Sequence, residues 1–155
     1  MRLAAMAALA LTLSAGATWA QAVSDQPYHP GLGDLMTATV QPRHIKLGLA
    51  GQQKNWTYAD YELHELREAF ERAEAVWPKW QNIPITQMIH FNTDGPLHDL
   101  ENAIKAGDSD AFNKAYQQLT EACDTCHQGA NRAWIVIKVP DASFFPDQNF
   151  APPSK

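Results

Sequence analysis

Cys123, Asp124, Thr125, Cys126 and His127 stand together in a chain that has only two cysteines. Two thiols three residues apart, followed at once by an imidazole, match the C-x-x-C-H pattern of covalent c-type haem attachment. The chemistry explains the spacing. Each thiol adds across one vinyl group of the porphyrin and forms a thioether. On a helical turn Cys123 shares a face with Cys126 and His127. One turn then holds two edges of the macrocycle and presents a nitrogen to the iron. The pattern predicts one haem c, with Cys123 and Cys126 as covalent anchors and His127 as an axial ligand of the iron.

Three other uses of such residues fit less well. A thiol-disulfide redox pair belongs at a helix start beside a βαβ pattern. Here the pair ends a helical pattern in a chain with almost no strand signal. One structural disulfide is the ordinary expectation for two cysteines in an exported protein, but it gives no reason for the adjacent histidine. A zinc site needs further ligands at suitable spacing, and His90 and His98 are not arranged to supply them.

The elements that must position this motif read as helices. Leu35, Met36, Val40, His44, Leu47 and Ala50 recur at three- and four-residue steps, predicting a first helix over 32–50 that Pro42 kinks or breaks. Ala59, Leu63, Leu66, Phe70, Ala73 and Trp77 form the stripe of a second helix. Thr57 is its expected cap, Pro78 its stop, and Glu62, Glu65, Glu68, Glu71 and Arg72 its solvated face. Pro84 is expected to start a short helix holding Ile85, Met88 and Ile89. Asp94 and Pro96 read as the start of a third long helix that Gly107 ends. Asp108 or Ser109 caps a fourth, whose apolar face runs through Phe112, Tyr116 and Leu119 to the two cysteines and stops at Gly129. Residues 130–155 lose the period. They carry Trp134, Phe144, Phe145 and Phe150 among four prolines, and read as an extended tail lying over the helices or the haem. The fold class expected is all-α: a four-helix bundle with an extended C-terminal tail.

The 155 residues suit one domain, with residues 1–22 read as a cleaved signal peptide and 23–155 as a single helical domain. Arg2 precedes an uncharged Ala/Leu-rich run to Ala17, and Ala20-Gln21-Ala22 fits a signal-peptidase site, with cleavage after Ala22 or after Ala20. The run is short for a span of about 20 apolar residues, and no later segment is long and apolar enough, so no membrane span is expected. The formal net charge of −5 gives no basic patch for nucleic acid. Periplasmic localisation is the expectation, and it suits c-type haem, which is attached outside the cytoplasm.

A helical bundle with C-x-x-C-H on its last helix resembles the class II c-type cytochromes, the group that includes cytochrome c′. The chain also looks like a proteobacterial cytochrome c family of the same size. Three stretches carry that likeness. One is Leu35-Met36 with Arg43-His44-Ile45-Lys46-Leu47 and Ala50-Gly51. The second is Asn55-Trp56 leading to Tyr61-Glu62-Leu63 and Glu65-Leu66. The third is Ala122–His127 with Ile135-Val136-Ile137-Lys138 and Asn149-Phe150-Ala151-Pro152. The resemblance implies a cytochrome c′-like bundle with redox or haem-ligand chemistry. Two features depart from it. The chain runs 23 residues beyond Arg132, the basic residue that follows the motif, and Gly48 replaces the tryptophan expected after Leu47.

The second axial position decides the function. Met36 and His44, eight residues apart, share a stripe of the first helix. The resemblance implies a methionine ligand at Met36, and the recurring Arg-His-x-Lys-Leu element makes His44 a rival. An open site is the third possibility. Two protein ligands predict an electron carrier serving periplasmic redox proteins, with no catalysis. An open face predicts binding or sensing of small gases, as in cytochrome c′. A peroxidase-like enzyme would need acid–base groups beside an open iron, and only Arg43 with His44 are on offer. A homodimer is compatible with the resemblance.

Overall fold

The computed structural model describes residues 28–154. The expected signal segment lies outside the described residues. The described residues are 67% helix and form no strand. The elements are α1 (Leu32–Leu35), a π-helical segment (Met36–Val40), α2 (Gln41–Gln52), α3 (Trp56–Val76), α4 (Ile85–Ala106) and α5 (Ser109–Gly129). The first three follow one another without a break. Four rods result, and α2 packs on α3, α3 on α4, α4 on α5, and α5 back on α2. Leu47, Leu66, Leu100, Phe112 and Leu119 are fully buried where the rods meet.

Pro42 neither breaks nor ends the first rod. Its ring clashes with the carbonyl four residues back in a regular α-helix. The segment just before it is wound one residue wider, with the Gln41 amide bonded to the Met36 carbonyl. Such wide turns occur mostly as single insertions in α-helices, frequently at functional sites.

Three expectations about helix boundaries and faces are corrected. The first is the cap of α3. Asn55, not Thr57, caps it, its side-chain oxygen accepting the Tyr58 amide at 3.3 Å. The second concerns the charged face of α3. Glu62 is only 1% exposed, because Arg43 from α2 reaches it at 3.2 Å and also holds Glu65 at 2.9 Å. A carboxylate is buried where another helix brings a cation to it, and that partner is invisible in the local sequence of α3.

The third correction concerns α4. The short helix at Pro84 and the helix expected to begin at Asp94 are one element, with Pro96 inside it. Met88 and His90 therefore lie on one long helix. Ile85, Ile89, Thr93, Leu97, Leu100 and Ile104 are all buried along one stripe, and a threonine in that stripe hid its continuity. On the turn before Pro96, Asn92 Nδ2 bonds to the Met88 carbonyl at 2.7 Å and Thr93 Oγ1 to the Ile89 carbonyl at 2.9 Å. Back-bonds of this kind bend helices, and bending relieves the clash of a proline ring.

Gly107 adopts φ 64°, the left-handed conformation that glycine takes without penalty, and ends α4. The Asp108 carboxylate then accepts the Asp110 and Ala111 amides, both at 3.0 Å, and starts α5. The tail is irregular, as expected, and partly docked. Pro140 and Phe150 are buried, while Trp134, Val136 and Phe144 stay largely exposed. Asn55, besides capping α3, donates its amide to the Phe150 and Ala151 carbonyls, each at 3.2 Å.

Candidate cofactor site

The amphipathic face of α5 carries Phe112, Tyr116 and Leu119 into the core and delivers Cys123, Cys126 and His127 on its last turns. All three line a cavity of about 420 Å³. Its walls come from the π-helical segment, the starts of α2 and α4, Phe70 of α3, and the tail through Ile135 and Ile137. The walls are mostly apolar and the volume falls in the range of cofactor pockets. A hollow of about 410 Å³ between α4 and α5 is lined by Asp99, Asn102, Lys114 and small residues, and carries no thiol or imidazole.

His127 is oriented by the tail. Its Nδ1 lies 3.0 Å from the Ile135 carbonyl. A carbonyl only accepts, so Nδ1 carries the hydrogen and Nε2 keeps the lone pair that a metal would take. The Arg132 amide also closes back onto the His127 carbonyl at 2.7 Å, and the Arg132 guanidinium lies over the Trp80 and Trp134 rings at 4.5 and 5.1 Å.

Both cysteines are free thiols. Burial pushes the Cys123 thiol up to about 12 and raises Cys126 as well. Reactive thiols of redox pairs are shifted the other way, at helix N-termini. These two sit at the C-terminal end of α5, where the helix dipole opposes a thiolate. Among the described residues, no group of three or more His, Cys, Asp or Glu side chains is arranged to hold a bare metal ion.

Met36 and His44 line the same cavity, so the structure brings both candidate ligands to it. Their conditions differ. His44 is 4% exposed, with Nδ1 3.1 Å from the Tyr116 hydroxyl and Nε2 3.1 Å from Thr120 Oγ1. The Tyr116 hydroxyl donates to the His44 carbonyl at 2.6 Å. It therefore accepts from Nδ1–H. The Thr120 hydroxyl lies within hydrogen-bond distance of both Nε2 and the Tyr116 carbonyl, the latter at 2.9 Å, so both ring nitrogens have a polar partner. Burial lowers the His44 pKa to about 4, a pull that Asp124 opposes only in part. Met36, half-buried, packs against the core by its apolar side chain.

The remaining histidines sit apart from the cavity. His64 is exposed beside Glu68, His90 lies between Glu74 and Asp94, and His98 bonds to Asn102. Three partners of the site escaped sequence reading. The Ile135 carbonyl is a backbone group with no side-chain signature. Tyr116 reads as a position on the apolar face of α5 and Thr120 carries no signal of its own, with nothing local to join them to His44.

No protein-family model matches the chain, and no curated protein or solved structure matches it. The reading of the site rests on its own residues and their geometry. Among the described residues no helix is long and apolar enough to cross a membrane.

The donor set suits a haem c. Two thiols one turn apart open on an apolar cavity. The imidazole that follows them offers Nε2 with its other nitrogen occupied, as metal-ligating histidines do.

Proposed function

We propose that this chain is an exported mono-haem c-type cytochrome of the cytochrome c′-like group, carrying single electrons between periplasmic redox proteins without catalysis. The observation that carries the reading is the convergence of Cys123, Cys126 and a tail-oriented His127 on one apolar cavity. Bound there, a haem supplies a one-electron iron couple. Cys123 and Cys126 would hold it by thioethers, and His127 Nε2 would ligate the iron. The apolar walls exclude water, which favours electron exchange over side chemistry.

For the opposite axial position we favour Met36 over His44. Ligation by His44 would take its imidazole out of the buried network it shares with the Tyr116 and Thr120 hydroxyls, and each hydrogen bond lost there costs about 0.5–1.5 kcal/mol. The Met36 thioether has no comparable hydrogen-bond network to give up.

A second reading is favoured by the same occupied imidazole. If Met36 also stays off the iron, the opposite face is open and the protein binds small gases, as cytochrome c′ does.

One preparation tests both. The protein is exported from a host that attaches c-type haem, and its spectrum is taken oxidised, reduced, and reduced under carbon monoxide. Haem that resists acid–solvent extraction is expected from the wild type, and extractable haem from a variant lacking both cysteines. A sharp reduced spectrum indifferent to carbon monoxide supports the carrier. A broad high-spin spectrum that sharpens with the gas moves the second reading to the front. Wild-type protein without covalent haem sinks both.

A further inference from the structure

We propose that Asp124, inside the motif, is a positioning residue for His127 that acts through the tail. Its carboxylate Oδ1 accepts the Ile137 amide at 2.7 Å. This clamp fixes the Ile135 carbonyl, two residues earlier, against His127 Nδ1. The inference rests on the haem reading and deepens it, by assigning what sets the donor strength of the axial imidazole.

The tail needs such a clamp. Trp134 and Val136, on either side of Ile135, are 73% and 72% exposed, so packing at those positions does little to hold the backbone between them. Position 135 is defined from two ends instead. On the near side a tight turn closes α5, with the Ile135 amide on the Arg132 carbonyl at 2.8 Å and Arg132 stacked on Trp80. On the far side stands the hydrogen bond from Ile137 to Asp124. Alternate residues of an extended segment point to the same side, and Ile135 and Ile137 both line the cavity. The segment therefore runs back along the last turns of α5 and touches it at two points, at His127 and at Asp124.

The short bond from a backbone amide to a carboxylate is charge-assisted and about twice as strong as a neutral one. It also explains why an acidic residue between the two cysteines turns toward the tail. A hydrogen bond from Nδ1 to a well-placed carbonyl raises the basicity of the imidazole, and the loss of such outer partners commonly costs 10–100-fold in the property they tune. A more basic imidazole favours the oxidised iron, so slackening the clamp raises the midpoint potential.

The test is a spectroelectrochemical titration of the haem-loaded protein. Asp124→Ala is expected to raise the potential by about tenfold in the reduced-to-oxidised ratio, about 59 mV for one electron. Asp124→Asn keeps an acceptor oxygen and is expected to stay near the wild type. Ile137→Pro removes the donor of the same bond and is expected to match Asp124→Ala, which keeps the question answerable if the alanine variant fails to accumulate. Hydrogen exchange at the Ile137 amide is expected to accelerate in Asp124→Ala. A haem-loaded Asp124→Ala or Ile137→Pro protein whose potential moves less than twofold in that ratio overturns the proposal. Absence of covalent haem in the wild type sinks the functional reading instead, so the two failures are told apart.

Discussion

The ring of Phe112 on α5 lies directly across the backbone of Gly51 on α2. A Cβ at Gly51 would stand 2.1 Å from the ring carbons Cε1 and Cζ. Gly48 repeats the device one turn earlier, where a Cβ would meet Tyr116 Cζ at 2.5 Å and Pro140 Cγ at 2.9 Å. The two glycines let α2 and α5 approach closely enough for the Tyr116 hydroxyl to reach the His44 carbonyl. The space over position 48 is filled by Tyr116 and Pro140.

Gly51→Ala is therefore expected to destabilise the protein. Helix propensity favours alanine by about 1 kcal/mol. Overpacking a filled core costs about 1–3 kcal/mol, and a contact this close lies at the upper end because Phe112 is fully buried. The expected net loss is about 2 kcal/mol, read as a lower urea midpoint. A midpoint at or above that of the wild type would show that Phe112 can move aside.

Asn55→Ala removes a helix cap and two anchors of the tail together. The cap is worth about 1 kcal/mol, and each bond to the tail carbonyls about 1 kcal/mol more. A loss of about 2–3 kcal/mol is expected, with faster proteolysis within 141–154. Equal protease resistance in variant and wild type would mean that Phe150 alone holds the tail.

Arg43→Met strands the Glu62 carboxylate in the core. Breaking a fully buried pair costs about 3–5 kcal/mol. Arg43 is 28% exposed, and solvent screening of its end of the pair discounts the figure to about 2 kcal/mol. Adding Glu62→Leu to the same chain is expected to recover most of the loss. A double variant less stable than the single one would show that Glu62 has partners beyond Arg43.

Buried neutral His44 makes stability depend on pH. Its folded pKa, near 4, lies below the ordinary value of 6.5, so between these values the unfolded chain binds the extra proton. The contribution is complete above about pH 6.5 and is lost as pH falls toward 4. At about 1.4 kcal/mol per unit, roughly 3 kcal/mol is at stake. Urea unfolding of the haem-free protein at pH 7 and pH 4.5 is expected to show the drop, and His44→Gln to flatten it. An identical pH slope in the variant would place the sensitivity elsewhere.

Much of the frame was legible before the structure. The stripes of α3 and α5, the stop at Gly107, the cap at Asp108 and the irregular tail all follow from local rules, and those rules operate within a few residues. What was missed depends on distant partners. Glu62 reads as solvated until Arg43 arrives from another helix. The stripe of α4 reads as interrupted until Thr93 is seen bonding back to Ile89. At the site, the residues that meet at the cavity, Cys123, Cys126, His127, Met36 and His44, were legible. The contacts that distinguish those rivals lie 72 and 76 residues away from His44, at Tyr116 and Thr120.

The tail's anchors bear on how the chain assembles. Helix formation is local and fast, and helical bundles rich in local contacts fold quickly. The tail is joined to the rest across separations of 88 and 95 residues, Gln52 to Pro140 and Asn55 to Phe150. Closing loops of that length carries an entropic cost that only a preformed bundle can offset. The four rods therefore come together first and the tail docks last. The bonds from Ile135 to His127 and from Ile137 to Asp124 span only 8 and 13 residues, so the wall at the motif forms with α5, and the far end of the tail around Pro140 and Phe150 is the part that docks late.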